Sequence, residues 1–346
     1  MQSAPTDQLN ILQAISWKIE ILEPVDLSSI LIFGVVVLAA SQIGKLSSIV
    51  HLPLITGFLL AGILVGPYAL GMVSEEQLVD LDFVNKLALA VIAMAAGNEL
   101  VLKEFRSRFR SIAWVTIAQA ITTLGMGTTA TFLLSSNSIP FTQDLSVQVR
   151  LAISVMVGVI LVARSPSSAI AIINELRAKG PFTQTVLGVT VIMDVAVIVL
   201  FAMGSEFAHA VNSNLSFNLS FAGLLLLEIA LSVLGGCLLW KFVAALISFS
   251  IPRPVKSIIL LLAGMTVFIC TEFLREYSDE HWQFELFLEP LLLCMIAGLL
   301  VSNTSPHRVE FTRILHQIGP PVYLAFFTLT GISIELDVLA QTWTLA

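Results

Sequence analysis

The chain has 346 residues, 57% of them hydrophobic and 12% charged, with a formal net charge of −7 and a mean hydropathy of +0.93. That composition excludes an ordinary soluble domain. Recurrent apolar runs of about 17 residues or more predict an all-α polytopic membrane protein, not a barrel of short alternating strands. No basic tract points to nucleic acid, and the five His and three Cys residues show no metal-ligand spacing. Cys237, Cys270 and Cys294 fall in apolar segments and read as small core residues.

Residues 1–28 carry Leu12, Ile15, Ile19 and Leu22 at helical spacing, an interfacial helix rather than a signal peptide. Ten membrane segments follow, at 29–45, 53–70, 83–101, 112–134, 148–173, 184–204, 220–246, 257–274, 288–302 and 318–334. Basic residues alternate between the loops. Lys45, Lys103, Arg106, Arg108, Arg110, Arg177, Lys179, Arg253, Lys256, Arg308 and Arg313 share one side, against Lys18, Lys86, Arg150 and Arg275 on the other. The positive-inside rule makes the crowded side cytoplasmic and the N-terminus external.

The fifth segment is interrupted by Arg164-Ser165-Pro166-Ser167-Ser168 between apolar runs ending at Ala163 and resuming at Ala169. Thirteen apolar residues span about 20 Å of a core about 30 Å thick, so the break falls near mid-depth. Pro166 lacks an N–H and frees the carbonyl of Val162. In the sixth segment Asp194 lies at the centre, where a carboxylate costs about 2.5 to 3.5 kcal/mol and needs a partner or a task. A broken helix followed by a buried acid marks the midplane ion site of a carrier. A purely structural Arg164–Asp194 pair is the competing reading.

Segment two ends Ala61-Gly62-Ile63-Leu64-Val65-Gly66 and segment nine Ala297-Gly298-Leu299-Leu300-Val301-Ser302. Gly97-Asn98-Glu99-Leu100 at the end of segment three matches Gly331 to Leu336 at the end of segment ten. The paired segments run in opposite directions, which predicts inverted repeats. The first repeat is 29–204, a linker helix region 205–256, and the start of a second repeat 257–346. That second repeat lacks its last three helices, so the chain is expected to be truncated after Ala346.

The helix Pro53 to Pro67, the Gly97-Asn98-Glu99-Leu100 end, Ala163-Arg164-Ser165-Pro166, Gly188 to Asp194, Ala297-Gly298 and Phe326-Phe327 leading to Gly331 together resemble the monovalent cation/proton antiporter superfamily, nearest its potassium-efflux-like and sodium–proton exchanger branches. The resemblance covers nearly the whole chain. It implies an inverted-repeat antiporter fold, a homodimer in the lipid bilayer, and Na⁺ or K⁺ exchanged for H⁺ at Asp194, these ions being substrates and no cofactor being required. Oxygen ligands for the cation would come from Ser165, Ser167, Ser168 and the carbonyl of Val162. Arg164 stands where the resemblance implies Thr or Ser, and Met193 where it implies Asp or Asn. Both are assigned to ion pairing or gating, together with Asn98 and Glu99, which read as surface pairing or a gate at the cytoplasmic end of segment three beside Lys103. No Lys occurs in segment ten, which implies electroneutral exchange. The residues alone leave open a channel-like or regulated K⁺ efflux pathway with a cytoplasmic regulatory domain beyond the chain end, or a non-transporting scaffold. They favour no enzyme, since Asp194 has no second acid, Ser/His pair or metal cluster beside it. A plasma or inner membrane is the expected location.

Overall fold

The computed structural model describes residues 27–49, 52–100, 102–135, 142, 145–164, 166–213, 219–282 and 286–336. The expected interfacial helix of residues 1–28 lies almost wholly outside them. The helices are α1 (Leu27–Ile49), α2 (Leu54–Val65), α3 (Glu75–Asp80), α4 (Asp82–Glu99), α5 (Leu102–Ser135), α6 (Val147–Val162), α7 (Pro166–Leu176), α8 (Pro181–Ser213), α9 (Leu219–Ser248), α10 (Arg253–His281), α11 (Pro290–Thr304) and α12 (Arg308–Ile332). Every segment expected from the sequence is a helix, the fifth being the pair α6 and α7. The short α3 was not anticipated; Ser74 caps it, accepting from Gln77 N while Gln77 Oε1 accepts from Ser74 N.

Several boundaries differ from the sequence reading, and two of them involve proline. α7 resumes at Pro166 and not at Ala169, because proline fits the first turn of a helix, where its missing N–H has no partner to lose. α12 begins ten residues before the expected start and runs through Pro320 and Pro321. Those prolines leave the carbonyls of His316 and Gln317 without helical donors, so the helix continues at a local cost.

α5, α6 and α8 pack chiefly on one another. α4 pairs with α11 and α2 with α12, while α1 and α10 flank these pairs and α9 lies against α11. α7 bridges the two groups, touching α8 on one side and α4 and α2 on the other. The main core lies around α4, with Met94, Cys294, Val301 and Phe311 fully enclosed.

Glycine sets the closest approaches. A Cβ on Gly97 would lie 2.6 Å from Leu299 N, and one on Gly298 would lie 3.0 Å from Met94 Cα, so α4 and α11 cross backbone to backbone. A Cβ on Gly62 would lie 2.8 Å from Gly331 Cα, bringing α2 and α12 together in the same way. Small residues at such crossings permit dispersion contacts and leave no room for a side chain.

Polar contacts tie the two ends of the bundle. At one end Lys86 Nζ donates to Asp82 Oδ2 at 3.0 Å and Glu272 Oε2 at 2.8 Å. There too Glu228 Oε1 accepts from Phe287 N at 2.7 Å. Glu228 and Glu272 thus each accept a hydrogen bond from a distant segment. At the other end, where the basic loops gather, Lys256 is buried and its Nζ donates to Ile247 O at 2.8 Å, closing the C-terminus of α9. Arg253 Nε donates to Glu310 Oε1 at 2.9 Å, and this hydrogen bond holds the Glu310 carboxyl below its usual value of 4.5. A depressed carboxylate stabilises the fold above its unfolded pKa and ceases to do so as pH falls through its folded value. Unfolding midpoints of the native chain and Glu310→Gln are therefore expected to differ at neutral pH and to draw together as pH falls below the usual carboxylate value.

Of the three cysteines, Cys294 is fully buried and Cys237 partly so, but Cys270 is exposed. The core assignment of Cys270 is therefore corrected. It faces an apolar cleft of about 620 Å³ lined by α9 and α10, open on the outside of the bundle.

Candidate functional site

The break forms because Pro166 cannot donate and its ring disfavours helical geometry in the residue before it. α6 ends at Val162, which is buried, and Ala163 is extended at φ −59° and ψ 133°, its N–H turned back to Ile160 O at 3.0 Å. α8 packs along α6, α5 and α7. A Cβ on Gly158 would lie 3.0 Å from Thr128 N, and one on Gly204 3.4 Å from Val159 Cγ2, so α6 is held closely between α5 and α8. The interrupted helix and the helix carrying Asp194 are thus neighbours.

Met193 is fully buried. Asp194 belongs to α8 and Ser167 and Ser168 to the first turn of α7, Ser168 being partly buried. Ser165 and the side chains of Asp194 and Ser167 lie outside the described residues, so their coordination, and the Arg164–Asp194 pairing, do too. Arg164 is exposed. With the Gln119 amide oriented to face it, the Gln119 oxygen accepts from Arg164 Nη1 at 3.0 Å and from Nε and Nη2. Gln119 sits on α5, and a neutral amide can hold this always-ionised guanidinium without neutralising it.

Asn98 is not a surface residue. It is 8% exposed, its Oδ1 accepts from Thr312 Oγ1 at 2.9 Å and its backbone oxygen from Ser302 Oγ at 3.0 Å. Asn303 extends the tie, Nδ2 donating to Leu100 O and Oδ1 accepting from Leu102 N, each at 2.8 Å. Asn98 therefore clamps α4, α11 and α12 together, which a surface-pairing role does not require.

Beside it a cavity of about 430 Å³ opens at the basic end, between α2, α4, α7 and α12. Its polar lining is Asn98, Glu99, Glu175, Arg177, His316 and Tyr323. His316, whose carbonyl Pro320 leaves without a helical donor, lines this cavity. Of these residues only Asn98 and Glu99 were singled out from sequence. Glu175, near the end of α7, closes the start of another helix. Leu54 N donates to both Glu175 oxygens at 3.0 Å, and Pro53 at the N-cap offers no side-chain acceptor. A carboxylate at a helix N-terminus is favoured by the orphan N–H groups and the helix dipole. Glu175→Ala is expected to cost about 1 to 2 kcal/mol and to speed amide exchange at Leu54. Unchanged exchange there would remove the cap.

Residues 31–346 match the family described as sodium/hydrogen exchanger, transmembrane. The chain is 23% identical over 317 residues to a probable Na⁺/H⁺ antiporter, GerT, of Bacillus cereus, covering 89% of this chain and 73% of that protein. It is 24% identical over 312 residues to the Na⁺/H⁺-K⁺ antiporter GerN of the same organism, covering 88% and 70%. Its fold matches the sodium proton antiporter MjNhaP1 of Methanocaldococcus jannaschii, solved at pH 8, with a TM-score of 0.61 at 15% identity over 92% of this chain and 73% of that one. With four helices among the described residues long and apolar enough to cross a membrane by themselves, an antiporter-like fold that is helical throughout those residues, and a family match over most of its length, the chain is a multi-pass membrane protein of the transmembrane sodium/hydrogen exchanger family.

Proposed function

We propose that this chain exchanges a monovalent cation, Na⁺ or K⁺, for H⁺ by alternating access, electroneutrally, with Asp194 as the carboxylate for which the two ions compete. The observation that carries this is the interruption between α6 and α7, packed against the helix that bears Asp194. An unwound backbone with free carbonyls and hydroxyls suits a hard alkali cation, and a mid-depth carboxylate must be protonated or paired. Val162, Ser165, Ser167 and Ser168 are the proposed oxygen ligands, with Arg164 and Met193 bordering the site. Asn98 and Glu99 belong to the access route from the cavity, whose end is assigned to the cytoplasm by its basic loops.

The inverted-repeat division, 29–204 and 257 onward about the linker 205–256, belongs to the same proposal. It is supported by the glycine crossings. Gly62 and Gly298, matched by sequence, approach Gly331 and the Met94–Gly97 turn respectively, and a two-fold relation exchanges those crossings. A homodimer completes the reading, with cross-linking in native membranes as its check.

Proteoliposome flux under an imposed pH gradient tests it. Addition of Na⁺ or K⁺ is expected to dissipate the gradient without generating a membrane potential. Cation movement that is independent of the proton gradient would mark a channel instead.

A further inference from the structure

We propose that the first three turns of α5 form a docking stripe for the headgroups of anionic phospholipids. Lys103, Arg106 and Arg110 are all exposed and fall at i, i+3 and i+7. At 100° per residue they share an arc of about 60°. The same face continues through Trp114, 69% exposed, and then Ile117 and Ile121, also exposed. Along one stripe the helix therefore passes from cationic to aromatic to aliphatic, the order in which a bilayer presents phosphate, interface and hydrocarbon. Arg106 and Trp114 are eight residues apart, or about 12 Å along the axis.

Two further observations select a lipid. Like charges at i, i+3 and i+4 repel on a helix surface, and among the described residues these three have no acidic partner. They are therefore open to an anion from outside the chain. α5 also carries the apolar stretch Arg106–Ser135, only 6% buried at its most apolar, so the stripe runs directly into an apolar face. A bias of basic residues toward one side of the membrane explains their number, but not their alignment with Trp114, Ile117 and Ile121. Inorganic phosphate would engage only the charged end, whereas an anionic phospholipid engages all three parts. α5 packs on α6 and α8, so a lipid held here sits on the helix group that contains the break.

Fluorescence quenching of the full chain in proteoliposomes tests this without reference to transport. The Trp114 share is taken as the emission lost in Trp114→Phe. Brominated phosphatidylglycerol, mixed as a minor component into phosphatidylcholine, is expected to quench that share at least about two-fold more than brominated phosphatidylcholine at the same mole fraction. The preference is expected to vanish in Lys103→Gln/Arg106→Gln/Arg110→Gln. In the native chain, which needs no altered folding, it is expected to weaken as salt rises from 50 to 500 mM, in the manner of screened charges. Inorganic phosphate at constant ionic strength should leave it unchanged. Equal quenching by the two lipids, a preference insensitive to salt, its persistence in the triple variant, or displacement by phosphate would each overturn the assignment.

Discussion

Asp194→Asn is expected to reduce cation-coupled proton flux to the level of protein-free vesicles, while the protein still inserts and unfolds cooperatively. An amide matches a carboxyl in shape, so packing of α8 against α5 and α6 is preserved. It cannot release a proton at any accessible pH, and it presents a cation with a dipole in place of a charge. Exchange through one site requires the proton and the cation to compete for the same group, and the substitution removes both halves of that competition. Stability should not fall, because an ionised group at mid-depth carries a desolvation cost that the amide avoids in large part. Flux with a pH gradient and Na⁺ or K⁺, measured beside the unfolding midpoint, separates the two effects. Native flux in this variant would take Asp194 out of the mechanism.

Gly298→Val is expected to destabilise the protein by about 3 kcal/mol, the upper part of the range for overpacking a tight interior. The neighbours that a Cβ would strike are the backbone carbonyl and Cα of Met94, and a backbone cannot rotate away as a side-chain tip can. α4 and α11 would have to separate, loosening the enclosed Met94, Cys294 and Val301 and stretching the Asn303 and Ser302 hydrogen bonds one turn farther on. Gly34→Ala and Gly125→Ala are the controls. A Cβ there meets nothing within 4 Å, so both should be neutral or slightly stabilising through helix propensity. Thermal unfolding in one detergent suffices. A Gly298→Val midpoint equal to that of the controls would mean that the α4–α11 crossing is looser than described.

Much of this molecule follows from short-range pattern. Burial in a bilayer demands about 20 apolar residues with every backbone group paired inside the segment, so the helices could be located from hydropathy alone. Pro166 is likewise a local cause, and the break between Val162 and Pro166 is legible because proline removes a donor wherever it stands. The similar Ala-Gly endings at Gly62 and Gly298 were visible in the sequence, but not as crossings. Which helix each glycine meets depends on how α2 and α12, or α4 and α11, lie together, and no periodicity contains that.

The same limit accounts for the misread positions. Asn98 looked superficial because it ends a segment beside charged residues, yet α11 and α12 fold over that end and enclose it. Glu175 drew no reading from the sequence, because its partner, Leu54 N, is 121 residues away. Cys270 looked buried because its neighbours in sequence are apolar, whereas in a membrane protein an apolar neighbourhood marks the lipid-facing surface as readily as the core. Sequence by itself determined the apolar helices, the interruption and the basic end, all consequences of chemistry within a few residues. Tertiary structure alone decided which polar groups are enclosed, which acid closes α2 and where the cavity opens, because these depend on contacts between segments far apart along the chain.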